Sequence, residues 1–312
     1  MLGVSVVTFG LSELAPGDPL SFVIGLNPDI SPSQKAALRA QYGLDRPVWE
    51  RYLVWLSNVV QGNFGQTIPE GRSVAGVVGR RIPATIMLGL FGWVIALVIA
   101  IPTGIYAAVR KDQLGDDVSR FIALSGISIP NFWLGLMLIL VFSSTLGWFP
   151  VLPPFEPGAD PSLTGVMQEL TKPAMLKYLL LPGLTIGTAS ASTLMRIMRS
   201  SMAEEMNKEY VTAARAKGLP ERTVILKHVL RNSLISVTTV AAFLTASILA
   251  GSVVVEVVFS WPGLGRQLVN AINRRQINII MAITLFTGVA IVIANLLADI
   301  GYAVLDPRIR YD

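Results

Sequence analysis

Side chains able to do covalent chemistry are scarce and poorly spaced in this sequence. His228 is the only histidine and there is no cysteine. Thiol nucleophiles, thiolate metal sites and histidine clusters are therefore excluded, and a Ser-His-Asp triad has almost nothing to build on. No Gly-Lys dipeptide occurs anywhere in the chain; without one, no Walker-type loop can cradle nucleotide phosphates, and energy from ATP must come from a partner. Two carboxylates, Glu256 and Asp299, fall within apolar runs. A charge there is costly in hydrocarbon and must face protein or water, as a structural ion pair, an interfacial group or part of a transport path. Between Thr185 and Thr193 the chain reads TIGTASAST, and Gly183, Gly187 and Ala191 recur every four residues. Such spacing lets helices approach closely in lipid. The alternative is a face of Thr188, Ser192 and their neighbours that lines a path. The stretch AAFLTASILAGS at 241–252, which contains Thr245, poses the same pair of readings. Candidate path residues are thus Thr188, Ser192, Thr245 and Glu256.

Recognition chemistry is better represented, in EYVTAARAKGLPERTVILKHVL at 209–230. Residues 203–217 are strong helix formers, and helical spacing predicts Met206, Tyr210, Ala213 and Ala214 on one face. Gly218 is placed for the left-handed conformation that closes a helix, and Pro220 suits the first turn of the next one, 220–231. Alanines on the exposed side of a short helix let the groove of another protein come close. A solvated basic loop explains the spacing equally well.

The elements around these residues are those of a membrane protein. Hydrophobic residues make up 52% of the chain and charged residues 14%, with a mean hydropathy of +0.59, outside the soluble range. The net charge of +5 lies mostly in loops beside apolar runs, which marks membrane orientation and not nucleic-acid binding. Five segments reach the roughly 20 apolar residues that a span needs: about 84–109, 121–147, 178–199, 233–258 and 278–304. Met1 to Leu14 is apolar but short and lacks the features of a signal peptide. It reads as the second half of a first span that about six to ten further apolar residues would complete. The expectation is an all-α membrane protein with six transmembrane helices. Thirteen Lys and Arg lie in 110–120, 196–232 and the tail at 308–310, against five in the alternate short loops (Lys172, Lys177, Arg266, Arg274 and Arg275). That asymmetry places both termini and the 196–232 loop in the cytoplasm.

Residues 15–83 form an outer insert that the sequence predicts to be helical. Ser31-Pro-Ser-Gln34 has the form of a capping box with proline at the first helical position, and Gly43 is placed to stop that helix. A second helix from about Pro47 should carry Trp49, Tyr52, Leu53, Leu56 and Val60 on one face until Gly62. The insert either caps the outer helix ends or also meets an external partner or passing substrate. The remaining boundaries are a membrane core at 84–305, a basic cytoplasmic loop at 200–232 within it and a tail at 306–312.

The run Tyr210-x-x-Ala213-Ala214-x-Ala216-x-Gly218-Leu219 resembles the EAA loop of ABC importer permeases, with Thr212 where that family carries its leading glutamate. LAPGDP (14–19), YGLDRP (42–47), GNFGQT (62–67), SIPNFWLG (128–135), VVVEVVFSWPGLG (253–265) and ADIGYAVLDPRIR (298–310) are similar to the dipeptide, oligopeptide and nickel branch of that family. Together they cover essentially the whole chain.

The resemblance implies a type I ABC importer permease fold in the plasma (inner) membrane. It implies that Met206, Tyr210, Ala213, Ala214, Ala216, Gly218 and Leu219 couple to an ATPase. The expected partners are a second, non-identical permease, two cytoplasmic ATPases that use ATP and Mg, an extracytoplasmic binding protein and membrane lipid. No nucleic acid is expected, and this chain itself should bind no cofactor or metal and catalyse nothing. The implied cargo is a short peptide or a related small solute such as glutathione or a nickel chelate. An ion-gradient-driven secondary transporter is the alternative, and a membrane scaffold a more distant one. A secondary transporter should show an internal repeat and broken mid-membrane helices, neither of which is evident in the sequence.

Overall fold

The computed structural model describes residues 2–14, 31–41, 45–67, 71–153, 172 and 174–305. It is helical, and no strand occurs among the described residues. The described chain divides into two compact units. One holds residues up to Ala84 with Pro262–Ala290; the other holds the described parts of Thr85–Pro154, Gln168–Trp261 and Ile291–Asp312.

In the first unit, α1 (Leu2–Leu14) packs against α3 (Val48–Val60), while α2 (Pro32–Gln41) precedes α3 in the chain. The capping box at α2 forms as expected. The Ser31 amide donates to Gln34 Oε1 at 2.9 Å and the Gln34 amide donates back to Ser31 Oγ at 3.3 Å. Two amides at the helix start that would otherwise lack partners are thereby satisfied. Gly43 lies outside the described residues, and Gly62 has a φ of 78° just beyond α3.

The packed face of α3 differs from the predicted one. Trp49, Leu53 and Val60 are exposed, while Tyr52 and Trp55 hold the Phe9 ring at centroid distances of 5.5 and 5.6 Å. Arg51 pairs with Glu13 at 2.7 Å. The apolar stripe is wider than one packing face, so composition alone left the choice of face open. α4 (Val74–Gly79) shares a core with α12 (Leu264–Asn273) and the start of α13 (Ile277–Leu305), through Val74, Val78, Leu264, Ala271, Ile279 and Ile283.

The second unit is organised around α8 (Met175–Glu205), which packs against α6 (Leu114–Ser128), α7 (Asn131–Leu138) and α11 (Leu230–Val258). It also lies against α5 (Ile82–Val109) along a seam of small residues. A Cβ built on Gly187 would lie 2.7 Å from the Gly92 carbonyl oxygen, and one on Gly183 would meet the Phe91 ring at 2.6 Å. Close packing thus accounts for the four-residue repeat, because no side chain fits between these backbones.

Three helical stretches among the described residues are long and apolar enough to cross a bilayer: Val74–Val109, Met175–Glu205 and Ile277–Leu296. α11 adds a continuous helix of 29 residues. The expected single span at 121–147 is broken. α6 ends at Ser128, α7 starts at Asn131 and runs on as a π-helical turn to Thr145, and the two halves are bent by 105°. Pro130 is the cause. Its ring clashes with a helical residue before it and drives Ile129 to an extended φ of −78° and ψ of 122°.

Candidate docking site

The basic loop folds as a short helix between two turns. α8 ends at Glu205, with Met206 as its cap. Lys208 is extended, and α9 (Glu209–Ala216) follows. Met206 therefore belongs to the preceding helix end, which corrects the expectation of one continuous helix through 203–217 with Met206 on its face. Gly218 has a φ of 75°, the left-handed closure its position predicts, and nothing crowds it. The Leu219 amide returns to the Ala214 carbonyl at 3.4 Å. Pro220 then begins α10 (Glu221–Thr223), which continues through a π-helical turn, Val224–Val229, into α11.

Ala214 points the other way from the sequence expectation. It is 7% exposed and joins Val211, Met198, Met202, Val224 and Val229 in one apolar cluster, with Met206 packed against it. The spacing argument grouped Ala213 and Ala214, but adjacent helical positions are about 100° apart and only one of them can face the core. Tyr210, Ala213, Ala216, Gly218 and Leu219 are left on the outside. Most of that face is small, with one half-exposed ring and one leucine at its ends.

Two polar locks fix the helix. Arg215 grips Glu221 through Nε at 3.1 Å and a terminal nitrogen at 2.6 Å, tying α9 to α10 across the Gly218 turn. The guanidinium holds the Glu221 carboxyl below its ordinary pKa. At the other end, Tyr210 donates its hydroxyl proton to Glu205 at 2.5 Å and accepts from Asn232 at 3.0 Å. Desolvation first, and then the bond to Glu205, raise the Tyr210 pKa. Lys208 reaches the other Glu205 oxygen at 2.5 Å, and that bond raises the pKa of its ammonium group. Spacing alone pointed to neither lock.

Of the candidate path residues, Thr188, Ser192 and Glu256 have described side chains. Thr188 donates to the Leu184 carbonyl at 2.6 Å. With Ser192 it occupies the space that a side chain at Gly126 of α6 would need. Both residues therefore serve helix packing. The side chain of Thr245 lies outside the described residues, as does that of Asp299. Glu256 is fully buried and accepts from Thr85 at 2.7 Å and from Ser252 at 3.2 Å, so hydroxyls on α5 and on its own helix partner its carboxyl group.

Sequence reasoning missed a second buried carboxylate altogether. Asp116 has no exposed surface and takes a two-pronged grip from Arg199, with both bonds at 2.5 Å. The Asp112 amide adds a third bond at 3.1 Å. Its place in the sequence marks Arg199 only as a loop base, and the acidic first turn of α6, Asp116 and Asp117, is the available hint.

Helices of membrane-spanning length, with a short small-faced helix in the loop that joins two of them, define an integral membrane protein. The matching family model is the binding-protein-dependent transport system inner membrane component, over residues 100–311, and this chain belongs to that family. Over 312 residues the chain is 39% identical to the oligopeptide transport system permease protein AppB of Bacillus subtilis, covering all of this chain and 95% of that one. It is 40% identical over 311 residues to a putative peptide permease protein of Brucella ovis, covering 99% of this chain and 95% of that one. It is also 38% identical over 308 residues to the glutathione transport system permease protein GsiC of Escherichia coli, covering 99% and 94%. Membership removes the footing of the ion-gradient alternative, since transport in this family depends on a binding protein.

Proposed function

We propose that this chain is the membrane-spanning permease subunit of an ATP-driven importer and forms half of a path for short peptides or a related small solute. Among its relatives, AppB is named for oligopeptides and GsiC for glutathione, both small peptidic solutes. A non-identical permease supplies the other half, two ATPases sit on the side of α9, and a binding protein delivers the cargo from the opposite side. Both termini and residues 196–232 then face the cytoplasm, in keeping with the split of thirteen bases against five.

The observation that carries the docking role is the way α9 is mounted. Val211 and Ala214 are sunk in the chain's own core while Ala213, Ala216 and Gly218 face outward. A groove on a partner can close on such a surface with little side-chain entropy to lose. The test is reconstitution with the partner permease, the two ATPases and the binding protein. Uptake of a labelled di- to pentapeptide should require ATP and the binding protein, and should stop when Ala213 is replaced by aspartate. Uptake by this chain alone without ATP would overturn the reading.

A further inference from the structure

An open groove of about 570 Å³ lies where the end of α5 meets the lead-in to α11. Its walls include Ile105, Val109 and Leu226, and its polar lining includes Tyr106, Arg110 and Arg222. Neither arginine is paired with a carboxylate among the described residues. Arg110 instead stacks over the Tyr106 ring at 5.4 Å from its centroid. That contact holds the guanidinium at the end of the apolar wall without neutralising it. Val109 is the last residue of α5, which ends the most apolar span-length stretch among the described residues, and Tyr106 has the amphipathic shape favoured at a membrane–water boundary. The groove therefore joins apolar side chains at the end of a span-length helix to two cations without a carboxylate partner among the described residues.

We infer that this groove holds one anionic phospholipid from the leaflet bordering the docking loop, with an acyl chain along Ile105, Val109 and Leu226 and its phosphate between Arg110 and Arg222. Charge and the apolar wall choose this occupant. A neutral protein surface would leave both guanidiniums buried and unpaired, which is costly. A phosphodiester supplies acceptors to both guanidiniums, and its tails match the wall. Arg222 lies one residue beyond Glu221, which Arg215 of α9 grips. The bound lipid would accordingly brace the element that seats the docking helix, a role that goes beyond the transport reading and does not depend on the cargo.

Native mass spectrometry of the detergent-purified full chain, doped with equal phosphatidylglycerol and phosphatidylcholine, tests this directly. Wild type should retain one phosphatidylglycerol in preference to phosphatidylcholine. Arg110→Gln and Arg222→Gln should each lower that preference roughly fivefold, the effect expected of one basic residue at an anionic surface. Arg196→Gln, which lies elsewhere on the surface, should not. Leu226→Trp fills the groove while keeping both charges and should also expel the lipid. Equal retention of both lipids by wild type, or unchanged preference in the arginine double variant, would overturn the assignment. So would a photoreactive side chain at position 226 that, in the assembled transporter, crosslinks to a protein subunit instead of lipid.

Discussion

Replacing Ala213 and then Ala214 by aspartate separates a docking surface from the support beneath it. Both sites are alanines on one eight-residue helix, yet their surroundings are opposite: Ala213 is exposed, whereas Ala214 is 7% exposed in a cluster formed by Val211, Met202, Val224 and Val229. A carboxyl at 214 must be buried among apolar side chains, at a cost on the order of 3 kcal/mol even if it is protonated. The helix can avoid that cost by lifting off, so the penalty should appear as local opening. Amide exchange in 209–216 should then accelerate by about two orders of magnitude, since every 1.4 kcal/mol is tenfold. At 213 the same change stays within about 0.5 kcal/mol of wild-type stability, because the group remains in water. The assay is hydrogen exchange on the purified chain, alongside a pulldown with the ATPase. Ala213→Asp should keep native protection and lose the ATPase; Ala214→Asp should lose both. If Ala213→Asp still binds the ATPase, the outer face is not the docking surface; if Ala214→Asp leaves exchange in 209–216 unchanged, the inner face is wrongly assigned.

Four further outcomes follow from the same geometry. Asp116→Ala strands the Arg199 guanidinium and should cost about 2–3 kcal/mol, below the value for a fully buried pair because the Arg199 side chain keeps 19% of its surface in solvent; the charge-swapped double variant Asp116→Arg with Arg199→Asp should recover part of the lost folded yield in size-exclusion profiles. Gly187→Ala drives a methyl against the Gly92 carbonyl and should sharply reduce folded yield, whereas Gly10→Ala, with open space around it, should not. Gly218→Val meets no neighbour, so its penalty is the backbone strain alone, about 1–2 kcal/mol, seen as lost uptake with normal membrane levels; Gly218→Asn should be milder. In this cysteine-free chain, Lys208→Cys should resist an impermeant thiol reagent in intact cells and react in inverted vesicles.

Local rules held where they were self-contained. Ser31 and Gln34 needed only each other to form a capping box, and Gly218 needed only a helix end, so both were legible from spacing. The Gly183, Gly187 and Ala191 repeat was legible as a seam because its period matches a helix face, although its partner, α5, was not named by it. Pro130 was a harder case. It lies within the apolar run 121–147, which is long enough to span, and hydropathy averaged across the point where the residue before a proline must leave the helix. The signal was present in Ser128-Ile-Pro-Asn131, where proline in the first turn marks a helix start as readily as a break.

What stayed hidden was set by contacts distant in sequence. Asp116 and Arg199 are 83 positions apart, and a charge count records Arg199 as an orientation signal without showing that it is spent on a buried carboxylate. The face of α9 depends in the same way on α8. Met198 and Met202 lie under Val211 and Ala214 in the core cluster, and Arg199, between those methionines in sequence, grips α6. One turn of α8 thus carries both the cushion beneath the docking helix and the fork to the next membrane helix. A partner pulling on the outer face of α9 would load that turn, because the inward residues leave no slack between them.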